Sequence, residues 1–148
     1  MKRPVLYTIG HLTRPIEEFL ELLAAHSRYR HLGALGGLRR THADSPNSGW
    51  INASFRGYAD YMQTEGFQDG LRSLEAGARE HVTTIMCAEG FPARCHRSLI
   101  ADGLAVDGWR VLHIQSRNSA KLHRRTGFLN VINGQLLHPK PARAEARK

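Results

Sequence analysis

Val82, Thr83, Thr84, Ile85, Met86, Cys87 and Ala88 form a short apolar, β-branched run. A turn-rich stretch follows, Glu89-Gly90-Phe91-Pro92-Ala93-Arg94, and from His96 onward Leu99, Ile100 and Leu104 recur at helical spacing, with Gly108 as a stop. This switch of period predicts a strand buried on both faces, a tight loop, and a helix that starts at the loop's end. Such a unit severely limits the fold. It belongs in a parallel sheet covered by helices, where strand ends and helix N-termini open into one crevice.

The rest of the chain supplies matching pieces. Strands are predicted at 5–9, 82–88 and 110–114, and helices at 15–26, 55–63, 67–80 and 96–106. The first helix has Pro15 at a suitable first position, Glu17 and Glu18 near its positive end, and Ile16, Phe19, Leu20 and Leu23 on its core face. The alternation predicts an α/β fold: one three-layer sandwich over residues 1–138, with a mostly parallel sheet and helices on both faces. A chain of 148 residues is long enough for one such core. Residues 139–148 are basic, almost without apolar content, and are expected to form a disordered tail. Residues 39–54 form an unusually long loop with Trp50 as its expected anchor. With no long apolar run and no leader-like start, the chain is expected to be cytoplasmic and free of the membrane. Two cysteines fit a reducing compartment.

The chemistry-bearing residues crowd the strand–loop–helix junction. Taken singly, each cysteine reads as a packing residue. Together with a carboxylate, an imidazole and guanidinium groups at one strand end, they read as a site. Glu89 and His96 are the candidate general acid–base pair, with Cys87 or Cys95 as a less favoured nucleophile. A thiol near a helix N-terminus and arginines is expected to be acidified. Arg94 and Arg97 would hold an anion. His11, after the first strand, would reach the same edge if the sheet is parallel, and Arg14 and Tyr58 complete the substrate-contact candidates.

More specific chemistries fit less well. A phosphatase-type loop needs its arginine one position closer to the cysteine than Arg94 stands from Cys87, and Glu89 would repel the anion. Cys87 and the Cys95-His96 pair are spaced too loosely for a structural zinc site, so no metal is expected. A redox pair between Cys87 and Cys95 is geometrically open, but no closely spaced Cys-x-x-Cys supports it. The sequence names no cofactor.

Four ordered segments carry a resemblance to a known family. Met86-Cys87-Ala88-Glu89 followed by Cys95-His96-Arg97-Ser98-Leu99-Ile100-Ala101-Asp102 resembles the signature of the DUF488 family. Thr8-Ile9-Gly10-His11 with Thr13-Arg14 resembles its opening strand and turn, Leu35-Gly36-Gly37 its glycine pair, and Phe55 to Met62 its central helix. The resemblance runs from about Tyr7 to Ile114. It implies a small bacterial or archaeal α/β protein of unestablished function, from a family some of whose members are labelled as DNA-repair proteins. Relatives carry a further strand–loop–helix unit with an Asp-Val-Arg triplet where this chain passes directly from His26-Ser27 to Tyr29-Arg30-His31. One central unit is therefore expected to be missing, which would expose a sheet and favour homo-oligomers.

The net charge is +8. Removing the tail still leaves Arg39-Arg40 and the cluster of Lys121, Arg124 and Arg125, so the expected partner is an anionic small molecule or a nucleic acid. No glycine loop of the Walker or dinucleotide type is present. Two readings follow: an enzyme of undetermined reaction on a phosphate-bearing or nucleic-acid-related substrate, or a non-catalytic nucleotide- or nucleic-acid-binding module.

Overall fold

A computed structural model describes residues 2–10, 17, 30–37, 39–87 and 95–141. The predicted first helix apart from Glu17, and His11, Arg14, Glu89, Arg94 and residues 142–148, lie outside these. Strand β1 (Val5–Gly10) is followed by a short 3-10 turn (Gly33–Leu35), helices α1 (Ala53–Tyr61) and α2 (Glu65–Glu80), strand β2 (Thr84–Cys87) and helix α3 (Arg97–Val106). Strands β3 (Arg110–Ser116), β4 (Ser119–Leu122), β5 (Asn130–Ile132) and β6 (Gln135–Leu137) complete the chain.

Four strands form a mostly parallel sheet in the order β2-β1-β3-β4. Both neighbours of β1 run parallel to it, with Gly10 paired to Cys87 and Thr8 to His113, and β4 is an antiparallel edge. The α/β expectation holds at this level. Helices α1 and α2 start where their caps direct: the Asn52 side chain accepts from the Ser54 and Phe55 N–H groups, and Thr64 from Phe67 N–H. Phe67, Leu71 and Leu74 of α2 and Leu99, Ile100 and Leu104 of α3 pack with Leu6, Val111, Tyr58 and Trp109 into one core.

One expectation is corrected. The strand after Val82 is not buried on both faces: Thr84, Ile85 and Cys87 are half-buried and Met86 is exposed. The sheet order explains this, because among the described residues β2 is an edge strand. The strand with the continuous buried run is β1, where Leu6 and Thr8 to Gly10 are buried. A second departure lies at the C-terminal end, where β4 and the β5–β6 hairpin went unpredicted. Asn133 and Gly134 turn that hairpin with φ of 50° and 78°, the positive pair that a two-residue turn of matching twist requires.

The long loop is built rather than loose. Buried Asp60 on α1 accepts hydrogen bonds from Thr41 Oγ1, His42 N–H, Ser45 Oγ and Asn47 Nδ2. Burial opposes ionisation of Asp60, but these donors prevail and lower its pKa. Gly57 lets the loop close, since a Cβ there would stand 2.1 Å from the Arg39 carbonyl oxygen. Trp50 is the expected anchor, edge-on to Phe55 and Phe128 at 5.1 and 5.0 Å. Residues 139 and 140, placed in the tail by composition, run along this loop: Lys140 N–H donates to Ser48 Oγ, and the Pro139 carbonyl lies against Gly49.

Candidate functional site at the carboxyl edge of the sheet

Parallel pairing of β1 and β2 sends both strands toward the same edge, and Cys87 is the last residue of β2, level with Gly10. Helix α3 begins at that edge, with His96 as its N-cap and Arg97 as its first residue. The chain thereby returns Cys95 and His96 to Cys87. One donor atom from each of the three, two Sγ and one imidazole nitrogen, lies within 4.8 Å of the others. Cys95 Sγ and His96 Nδ1 are 3.6 Å apart. The expected meeting of Cys87 and His96 at one sheet edge is therefore found, whereas His11 and Glu89, expected there too, lie outside the described residues.

The surroundings fix the imidazole. The Tyr58 ring lies 5.1 Å from it, and a Cβ on Gly37 would sit 3.1 Å from Nδ1, so only glycine leaves that side of the ring open. Arg39 holds the approaching turn: its Nε and Nη2 donate to the Gly36 and Gly33 carbonyls, while its guanidinium stacks 3.8 Å from the Tyr61 ring centre. Burial, then Arg97, lowers the His96 pKa, which favours a neutral imidazole. Tyr58 is 1% exposed and its hydroxyl donates to the Leu35 carbonyl at 2.8 Å, so its ring rather than its hydroxyl meets the cluster.

The expected acidified thiol is not found at Cys95. Burial and a hydrogen bond with Cys87 push it up to about 11, against opposing bonds from the Arg97 backbone and side chain. Desolvation outweighs the helix end because Cys95 is only 4% exposed. Arg97 is also buried, at 2% exposed, with its N–H directed at Cys95 Sγ.

A second polar group, unforeseen in the sequence, lies deeper. Fully buried Asp102 on α3 accepts from His123 Nε2 at 2.8 Å, His138 Nε2 at 3.3 Å, and Thr126 N–H and Oγ1. Burial opposes its ionisation, yet these donors hold the carboxyl well below the usual range. With Asp102 ionised, His123 Nε2 must donate, so its Nδ1 accepts from His113 Nε2 at 2.9 Å. His113 Nδ1 then accepts from the Thr8 hydroxyl at 2.6 Å. Burial, then His123, lowers the His113 pKa to about 4, in keeping with this neutral arrangement. The signal available in advance was slight: His113 and His123 fall on inward positions of strand-like segments. The network joins β1, β3, α3 and the C-terminal segment.

A family model described as Domain of unknown function DUF488 matches residues 16–104, more than half of the chain. The chain belongs to the DUF488 family. That match includes Gly37, Tyr58, Cys87, Cys95 and His96, so the cluster and the groups packed on it all fall in the family region. Asp102 is inside it too, whereas His113, His123 and His138 lie beyond. No curated protein and no solved structure matches the chain. Among the described residues, no helix is long and apolar enough to cross a membrane.

Proposed function

We propose that this DUF488 protein is an enzyme acting on a phosphate-bearing or nucleic-acid-related substrate at the carboxyl edge of its sheet. The observation that carries this reading is the convergence of Cys87, Cys95 and His96 where two parallel strands end and α3 begins. Reactive side chains and the positive end of a helix meet there. In this proposal neutral His96 takes or delivers a proton, paired with Glu89, and Arg94 and Arg97 hold the anion. His11 and Arg14 contribute from the β1 end. The net charge of +8 supports an anionic partner.

The finer architecture belongs to the same proposal. Helices cover both faces of the sheet, one central strand–loop–helix unit of the relatives is absent, and the β2 edge, unpaired among the described residues, is where copies of the chain associate. Intracellular placement, and a role beside nucleic acids such as repair, are parts of this reading as well.

The test is a thermal-shift screen of nucleotides, phosphorylated metabolites and oligonucleotides, followed by product analysis for each ligand that raises the melting temperature. Arg97→Lys keeps the charge but loses the bidentate fork, so it should weaken a specific phosphate ligand by roughly ten-fold or more. Deleting residues 141–148, which spares the Lys140 bond to Ser48, should weaken only low-salt oligonucleotide binding. Binding without turnover would establish a binding module instead. No anionic ligand at all, or full affinity in Arg97→Lys, would remove the anion reading.

A further inference from the structure

We propose that Cys87, Cys95 and His96 bind a soft divalent cation of the Zn2+ class through two thiolates and one neutral imidazole, leaving the fourth position to water or an anionic oxygen. The inference does not depend on which substrate, if any, the site takes, but it makes His96 a ligand and so replaces the proton-transfer role proposed for that ring above.

The geometry carries it. A tetrahedral zinc with bonds of about 2.3 Å to sulfur and 2.0–2.1 Å to nitrogen places those two ligand atoms about 3.6 Å apart. Cys95 Sγ and His96 Nδ1 stand at 3.6 Å. The third donor, Cys87 Sγ, falls within 4.8 Å of Cys95 Sγ and of an imidazole nitrogen of His96, against a tetrahedral sulfur–sulfur edge of about 3.8 Å, so bringing the two sulfurs to that edge needs a shift of about 1 Å or less. A disulfide would use the two sulfurs and leave the imbedded imidazole unexplained. A metal uses all three.

Three surrounding features suit a metal centre. Gly37 withholds the Cβ that would crowd Nδ1, the atom facing Cys95. The Arg97 N–H points at Cys95 Sγ at 3.4 Å, the kind of bond that steadies a metal-bound thiolate. Cys87 and His96 are only half-buried, so one side of the cluster remains approachable. Arg97 and the helix end repel a bare cation, but two thiolates cancel the charge of a divalent ion. Sulfur donors select zinc over magnesium or calcium. Binding replaces the two thiol protons, which are released to solvent, so affinity rises with pH.

The metal-stripped full chain is titrated with Zn2+ against a chromophoric chelator, and separately with Co2+ while the absorption spectrum is followed. The wild type should take up one ion per chain, release protons, and give Co2+ both a thiolate charge-transfer band and the intense visible bands of tetrahedral coordination. Cys87→Ser and His96→Gln should each weaken Zn2+ binding more than about ten-fold. Cys95 is buried, and Cys95→Ser can unfold the chain, so the decisive variants are at the two half-buried positions and circular dichroism confirms their folding. Absence of the cobalt–thiolate band in the folded wild type, unchanged affinity in both variants, or recovery of a Cys87–Cys95 disulfide in a glutathione buffer of cytosolic poise would overturn the proposal. None of these readouts uses a substrate, so failure here is separate from failure of the anion reading.

Discussion

The Asp102 carboxylate accepts the His123 Nε2 proton at 2.8 Å, and this one contact sets the donor direction of every bond from there to Thr8. A buried carboxylate is stable only with its donors in place, and Asp102 has four.

Asp102→Asn keeps the shape but places an NH2 group where a donor already points. We expect a loss of about 3 kcal/mol or more, the usual scale for breaking a buried charged network. Urea unfolding monitored by circular dichroism checks this. Wild-type stability in the variant would show that the network's polarity has been assigned wrongly.

Acid should destabilise the fold in a defined window. The His113 pKa falls from 6.5 in the open chain to about 4 in the fold, so the unfolded state binds the proton first. Stability is complete above about pH 6.5 and is lost as pH falls toward 4, by an amount of order 3 kcal/mol. Asp102 acts in the same direction below its ordinary 3.8. Melting temperatures from pH 8 to pH 4 should decline, and His113→Gln should flatten the decline between 6.5 and 4. An equal decline in that variant would move its cause elsewhere.

Two glycine substitutions should have opposite signs. Gly57→Ala drives a methyl toward the Arg39 carbonyl and should cost about 1–3 kcal/mol. Gly77, inside α2, has open space where its Cβ would stand, and Gly77→Ala should stabilise by about 0.5–1 kcal/mol. Chemical denaturation of the two single variants side by side is sufficient.

Trp50→Ala removes the ring between Phe55 and Phe128 and should cost about 2–4 kcal/mol, less than for a fully buried ring because Trp50 is half-buried. Hydrogen exchange should quicken at His42 and Asn47 N–H, and unchanged protection there would mean that Asp60 alone holds the loop.

Much of the frame was legible because its signals are local. The period change around Cys87 and Leu99 located β2 and α3, and parallel pairing then required Gly10 and Cys87 to share an edge. The edge position of β2 was not legible, since an apolar run looks alike at the centre and at the border of a sheet. The hairpin turn at Asn133-Gly134 was open to reading, but short flanking strands of three residues each gave little alternation to support it. The Asp102 network depends on pairs such as Thr8 and His113, 105 residues apart, whose meeting is set only by strand register.

Helix α3 carries the Cys95-His96 end at its start and Asp102 five residues beyond Arg97, about 7.5 Å along its axis. Lowering the pH below about 6.5 loosens the support of the carboxyl edge through His113, which is joined to the same helix by way of His123 and Asp102. A pH profile of any property of that edge therefore carries a contribution from its helix anchor, and His113→Gln separates that contribution from the groups at the edge itself.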